Sequence, residues 1–157
     1  MSAGGERPVP AARTGAAPAE GIASAPVATA AGGAARAWSV FTAVLTWAVF
    51  LQAVTAGRIL SGDEWALDVH LAAAGLLVLV SLGGGLVALA RLRHRAGGRR
   101  FAVALIAMSV GLLVQHGLGS AAADGEDTMW IHLPLGVALV GLMVKVGMLA
   151  RRVGALT

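Results

Sequence analysis

Four long apolar runs, at about residues 37–57, 69–90, 101–121 and 129–150, are separated by short polar stretches. Each run is close to the ~20 residues that a helix needs to cross ~30 Å of hydrocarbon. In lipid, every backbone N–H and C=O must find its partner within the segment, so each run is predicted to be an α-helix. The short connections force consecutive helices to run antiparallel. The expected fold is therefore all-α, an integral membrane four-helix bundle. Residues 1 to about 35 are rich in Ala, Gly and Pro, with almost no large apolar side chains. Such a stretch buries too little surface to offset its ordering entropy, and a disordered tail is expected there. A signal peptide is not expected, because residues 21–35 lack a leucine-rich core.

The polar positions inside the apolar runs repeat. Gln52, Gly57, an acidic turn and Val69-His70-Leu71 are echoed by Gln115, Gly119, an acidic turn and Ile131-His132-Leu133. Gln52 precedes His70 by 18 positions, and Gln115 precedes His132 by 17. The bundle thus reads as two similar helical hairpins. His70 opens the second predicted helix and His132 the fourth, so both lie about one turn below the same membrane surface. Being on alternate helices, they face the bundle centre from opposite sides, where bundles hold cofactors. His116, near the end of the third run, lies at a similar level. His94, in an arginine-rich loop, is expected to be solvated.

An ionisable group in hydrocarbon costs several kcal/mol unless it is paired or put to use. A single histidine near a helix end is ordinarily an interfacial residue, whereas a matched pair points to ligation. A closed zinc site would need two further ligands; haem iron needs only two axial nitrogens. Ala74 and Gly136, one turn beyond the two histidines, leave room for a flat macrocycle. Haem b held by His70 and His132 is the expected cofactor, with His116 a further contact or a replacement ligand. Gln52 and Gln115 either orient the ligand imidazoles or bond across helices. Arg58 pairs either with a haem propionate or with Asp63 or Glu64. Pro134 lies in the first turns of its helix, where a missing N–H is tolerated.

Composition agrees with a membrane class: the 157 residues are 57% hydrophobic and only 13% charged, against roughly 45–50% and 25% in soluble domains. The net charge of +4 is gathered in arginine clusters beside apolar runs, with no aromatic-laced basic face, so nucleic-acid binding is not expected. Arg91, Arg93, Arg95, Arg99 and Arg100 in the middle loop, with Arg151 and Arg152 at the end, predict both termini and that loop in the cytoplasm. Eleven arginines against one lysine, amid abundant Ala, Gly and Val, suggest a bacterial cytoplasmic membrane. Trp38, Trp65 and Trp130 fall at predicted helix ends, suiting an aromatic belt. Lys145 is close enough to a helix end to snorkel. The absence of cysteine excludes disulfides and thiolate ligands. Gly83, Gly84, Gly85, Gly111 and Gly136 are expected mostly to let helices approach closely.

Each hairpin resembles those of the haem A synthase superfamily, over about residues 37–150. Leu51-Gln52 through Gly57-Arg58, then Ser61-Gly62, is similar to that family's Gly-x-x-Arg-x-Thr-x-Ser-Gly region, with one residue fewer between arginine and serine. His132-Leu-Pro-Leu-Gly136 also resembles a motif of small four-helix proteins of actinobacterial type. The resemblance implies the fold and bis-histidine haem ligation. Family members have eight helices and a glutamate one turn before the first ligand histidine; this chain has half the helices and Leu67 at that position. The leading expectation is a cytochrome-like electron carrier, with quinol or a respiratory complex as its partner. The alternatives are an accessory or assembly subunit without haem, and a haem-modifying enzyme that restores eight helices as a homodimer.

Overall fold

The computed structural model describes Met1 and residues 25–155, with side chains over 33–153. Four helices fill that range: α1 (Ala25–Leu60), α2 (Glu64–Leu92), α3 (Gly98–Ala123) and α4 (Met129–Ala155). Their membrane-compatible portions are 28, 29, 26 and 25 residues long, about 38–44 Å at 1.5 Å per residue. That length matches the ~40–45 Å of hydrocarbon plus headgroup layers. The chain is a multi-pass membrane protein, and Leu79, Trp47 and many other large apolar side chains face outward where lipid would lie. The expected runs stop short of the observed helix ends because hydropathy marks only the hydrocarbon. The helices continue into the headgroup layer, carrying exposed Arg58, Glu64, Arg91, Arg99 and Arg100.

Two expectations need correction at the first helix. Residues 25–35, expected in a disordered tail, belong to α1; the alanines there have the highest intrinsic helix propensity and extend the helix backwards. The remainder of that expected tail, residues 2–24, lies outside the described residues. Trp38 is consequently well inside a helix rather than at its end. Its ring packs edge-on at 5.7 Å from Phe41 and 5.5 Å from Phe101, joining the core. Trp65 and Trp130 do occupy the first turns of α2 and α4 and are exposed.

Each helix packs on two neighbours, α1 on α2, α2 on α3, α3 on α4 and α4 back on α1, while the diagonal pairs do not meet. The interior differs at its two ends. Towards the arginine loop it is solid, built on Leu45, Leu77, Phe101, Leu105, Met143 and Val146. Towards the histidines, no α1 residue after Val49 and no α3 residue after Leu112 is buried. Ala66 and His132 are the only buried residues of α2 before Leu77 and of α4 before Leu139.

The solid end depends on glycine. A Cβ on Gly84 would lie 2.4 Å from the Phe41 ring of α1, and one on Gly85 would lie 2.7 Å from Ile106 Cγ1 and 3.1 Å from the Ile106 backbone nitrogen on α3. Adjacent glycines thus seat α2 against two different helices, in the close approach that drives association in lipid. Ser109 Oγ adds a bond to the Val78 carbonyl oxygen at 2.9 Å. Gly83 faces open space. Gly85→Leu is expected to lower stability by about 1–3 kcal/mol through overpacking, and Gly83→Leu by less than about 0.5 kcal/mol. Unfolding of detergent-solubilised protein checks both.

Candidate functional site

The loosely filled end encloses a cavity of about 300 Å³ lined by all four helices. Gln52 of α1, His70 of α2, Gln115 and His116 of α3, and His132 of α4 all reach it, among leucine, valine, alanine and glycine. Five of the six residues singled out from the sequence are therefore brought together. Arg58 is the exception. It stands outside the lining and pairs with Asp63 at 2.7 Å, which is the second of its two expected roles; at such an exposed site the pair contributes ~1 kcal/mol or less. His94 lies exposed beside Arg93 in the loop at residues 93–97.

His70 and His132 face each other across the bundle with ring centres 6.4 Å apart and planes inclined at 56°. Two axial bonds of ~2 Å, plus roughly 1 Å from each nitrogen to the centre of a ring made of ~1.3 Å bonds, place the rings of a bis-imidazole iron about 6 Å apart. The spacing fits. His70 is deeper in its helix than expected, because α2 begins at Glu64, whereas His132 is in the first turn of α4.

The hydrogen bonds decide which nitrogens are free. His132 Nδ1 donates to the Gln115 carbonyl oxygen at 3.1 Å; a carbonyl only accepts, so this nitrogen carries the proton and Nε2 keeps its lone pair. Thr55 Oγ1 lies 3.0 Å from the Gln52 carbonyl oxygen and shares a hydrogen bond of 2.8 Å with His70 Nδ1, in which the donor is set by the His70 tautomer. Neutral His132 therefore presents an unprotonated Nε2, the state a metal ligand requires, and His70 Nε2 does so in the tautomer whose Nδ1 donates to Thr55. The separation of the ring centres is compatible with a single iron between them. Among the described residues, no group of three His, Cys, Asp or Glu side chains gathers closely enough for a bare metal ion.

The two glutamines act on the histidine backbone rather than on the rings. Gln52 Nε2 donates to the His70 carbonyl oxygen at 3.4 Å, and Gln115 Nε2 to that of His132 at 2.9 Å. Of the two expected roles, bonding across helices is the one observed. The space beside the ligands is also used differently from the expectation. A Cβ on Gly136 would come to 3.0 Å from Gln115 Nε2, so that glycine admits the amide; a Cβ on Gly119 would come to 2.8 Å from His132 Cε1. Gly119 and Thr55 are the residues whose roles the sequence reading missed. Thr55 follows Gln52 by three positions on one helix face, and that spacing was the available signal. Two buried polar atoms, Gln115 Oε1 and His116 Nδ1, have no hydrogen-bond partner.

Thr55→Val is expected to remove the hydrogen-bond partner of His70 Nδ1 alone. Nitrogen NMR of ring-labelled protein should then show a mixed tautomer at His70 with His132 unchanged. Gly119→Val should displace the His132 ring and weaken any ligand held by it by about 10–100-fold, the range typical of groups that orient metal ligands. No family model, no curated protein and no solved structure matches this chain.

Proposed function

We propose that this chain is a haem b-binding membrane cytochrome that carries electrons, with His70 and His132 as the axial ligands. One observation carries the reading: two imidazoles on diagonal helices, their centres 6.4 Å apart, with both Nδ1 atoms already occupied by Gln115 and Thr55. The likeness of the hairpins to the haem A synthase superfamily supports the same ligand pair. When bound, haem supplies a one-electron iron couple whose two axial positions are filled, which favours outer-sphere transfer over oxygen chemistry. The chain's own contribution is positional. The Gln115 carbonyl holds His132 with Nδ1 protonated, Thr55 orients the His70 ring, the glutamine amides fix the backbone from which the rings project, and the apolar walls keep water away.

The arginine clusters support termini in the cytoplasm and a site near the outer face of a bacterial membrane. A quinol or a respiratory complex would be the redox partner there. A second reading, an accessory subunit without haem, draws support from Gly75, Gly83, Gly117 and Gly141, which have open space at their Cβ positions and offer small-residue surfaces to helices of another protein.

Absorption spectroscopy tests the two against each other. Purified protein supplied with haem b is expected to give a low-spin spectrum with a sharp reduced Soret band. His70→Ala and His132→Ala should each weaken haem binding at least tenfold. A full complement of low-spin haem in either variant, or none in the parent, would overturn the assignment.

A further inference from the structure

The exposed residues of the cavity lining lie on two helices. Among its lining residues, those of α2 and α3 are buried or half-buried, whereas Ala53, Gly57 and Leu60 of α1 and Leu133 and Val137 of α4 are exposed. Leu60 is 71% and Val137 75% accessible. The opening therefore lies between α1 and α4, and the exposed side chains around it, Ala53, Leu60, Leu133 and Val137, are apolar. On the wall opposite, α3 presents the two polar atoms that lack partners, Gln115 Oε1 and His116 Nδ1.

Those atoms make a specific demand. The Gln115 nitrogen is already committed to the His132 carbonyl oxygen, so Oε1 can only accept and requires a donor. His116 Nδ1 donates or accepts according to its tautomer. A hydroxyl group does both, and leaving either atom buried and unpaired is unfavourable. The lining holds no Arg, Lys, Asp or Glu, so a phosphate-headed or cationic lipid would bring in a charge without a counter-charge. An uncharged head on an apolar tail meets every condition.

We propose that the cavity binds an uncharged, hydroxyl-headed membrane lipid whose head lies against Gln115 and His116 and whose tail leaves between α1 and α4. Tailed hydroquinones and isoprenoid alcohols share this chemistry. The proposal rests on two polar atoms outside the imidazoles assigned to iron, although His70 and His132 line the same cavity. Should the assignment hold, a hydroquinone there would stand beside the two ligand rings.

The test uses haem-free protein in nanodiscs, titrated calorimetrically with decylhydroquinone, with its dimethyl ether and with farnesol. The ether keeps ring and tail but has no hydroxyl, and is expected to bind at least tenfold more weakly than the parent. His116→Leu should weaken decylhydroquinone at least tenfold. Val137→Trp, at an exposed position that tolerates a large side chain, should do the same by closing the opening. Stronger binding of decylhydroquinone than farnesol would assign the natural ligand to the quinols, and the reverse order to the isoprenoid alcohols. Equal binding of ether and hydroquinone, no binding of either hydroxyl-bearing probe, or unchanged affinity in both variants would overturn the proposal. Haem titration of the same samples is read separately. Protein that binds decylhydroquinone but no haem defeats the cytochrome assignment alone, and protein that binds haem but neither probe defeats this proposal alone.

Discussion

Two glutamine amides hold the histidine end of the bundle in register. Helices in lipid gain nothing from the hydrophobic effect on meeting each other, so their relative positions are fixed by close packing and by whatever hydrogen bonds cross between them. At the arginine end, packing suffices. At the histidine end, few side chains are buried, and the bonds from Gln52 to the His70 carbonyl and from Gln115 to the His132 carbonyl, with the ring bonds of His70 to Thr55 and of His132 to the Gln115 carbonyl, link α1 to α2 and α3 to α4. Each histidine backbone is thereby anchored to the helix that precedes it in the chain, while the ring itself is oriented by Thr55 or by the Gln115 carbonyl.

The repeat is not carried through in full. In the second hairpin, Gln115 serves twice, giving its side-chain amide to the His132 backbone and its own carbonyl to the His132 ring. In the first, the ring partner is a separate residue, Thr55. Residue Leu118 stands where a second threonine would, and its carbonyl instead accepts from Thr128 Oγ1 at 2.7 Å. Such asymmetry leaves the two sides of the cavity chemically distinct. His116 and Gln115 Oε1 line the α3 wall, and the first hairpin has Ala53 at the position equivalent to His116.

Much of this architecture was legible in the chain. Four apolar runs of spanning length dictate four helices, because lipid leaves backbone groups no other solution, and the doubled Gln-to-His spacing marked the residues that line one cavity. Helix ends were less visible: hydropathy falls at the headgroup layer while hydrogen bonding continues, so α1 and α2 begin well before their apolar runs. Roles that depend on distance were not visible at all. Nothing in composition separates Gly119, which makes way for His132, from Gly117, which faces open space. Nor does sequence decide whether Arg58 reaches inward or turns to Asp63.

The unequal filling of the two ends has a consequence for how the protein comes to be assembled. With the core confined to the arginine end, the four helices can insert, associate and reach their final arrangement before anything occupies the other end. Any ligand of the cavity would then load late, onto a finished scaffold. Slow breathing of α1 away from α4 at the histidine end would break few buried contacts, so exchange of the occupant with the surrounding bilayer need not wait for the bundle to come apart.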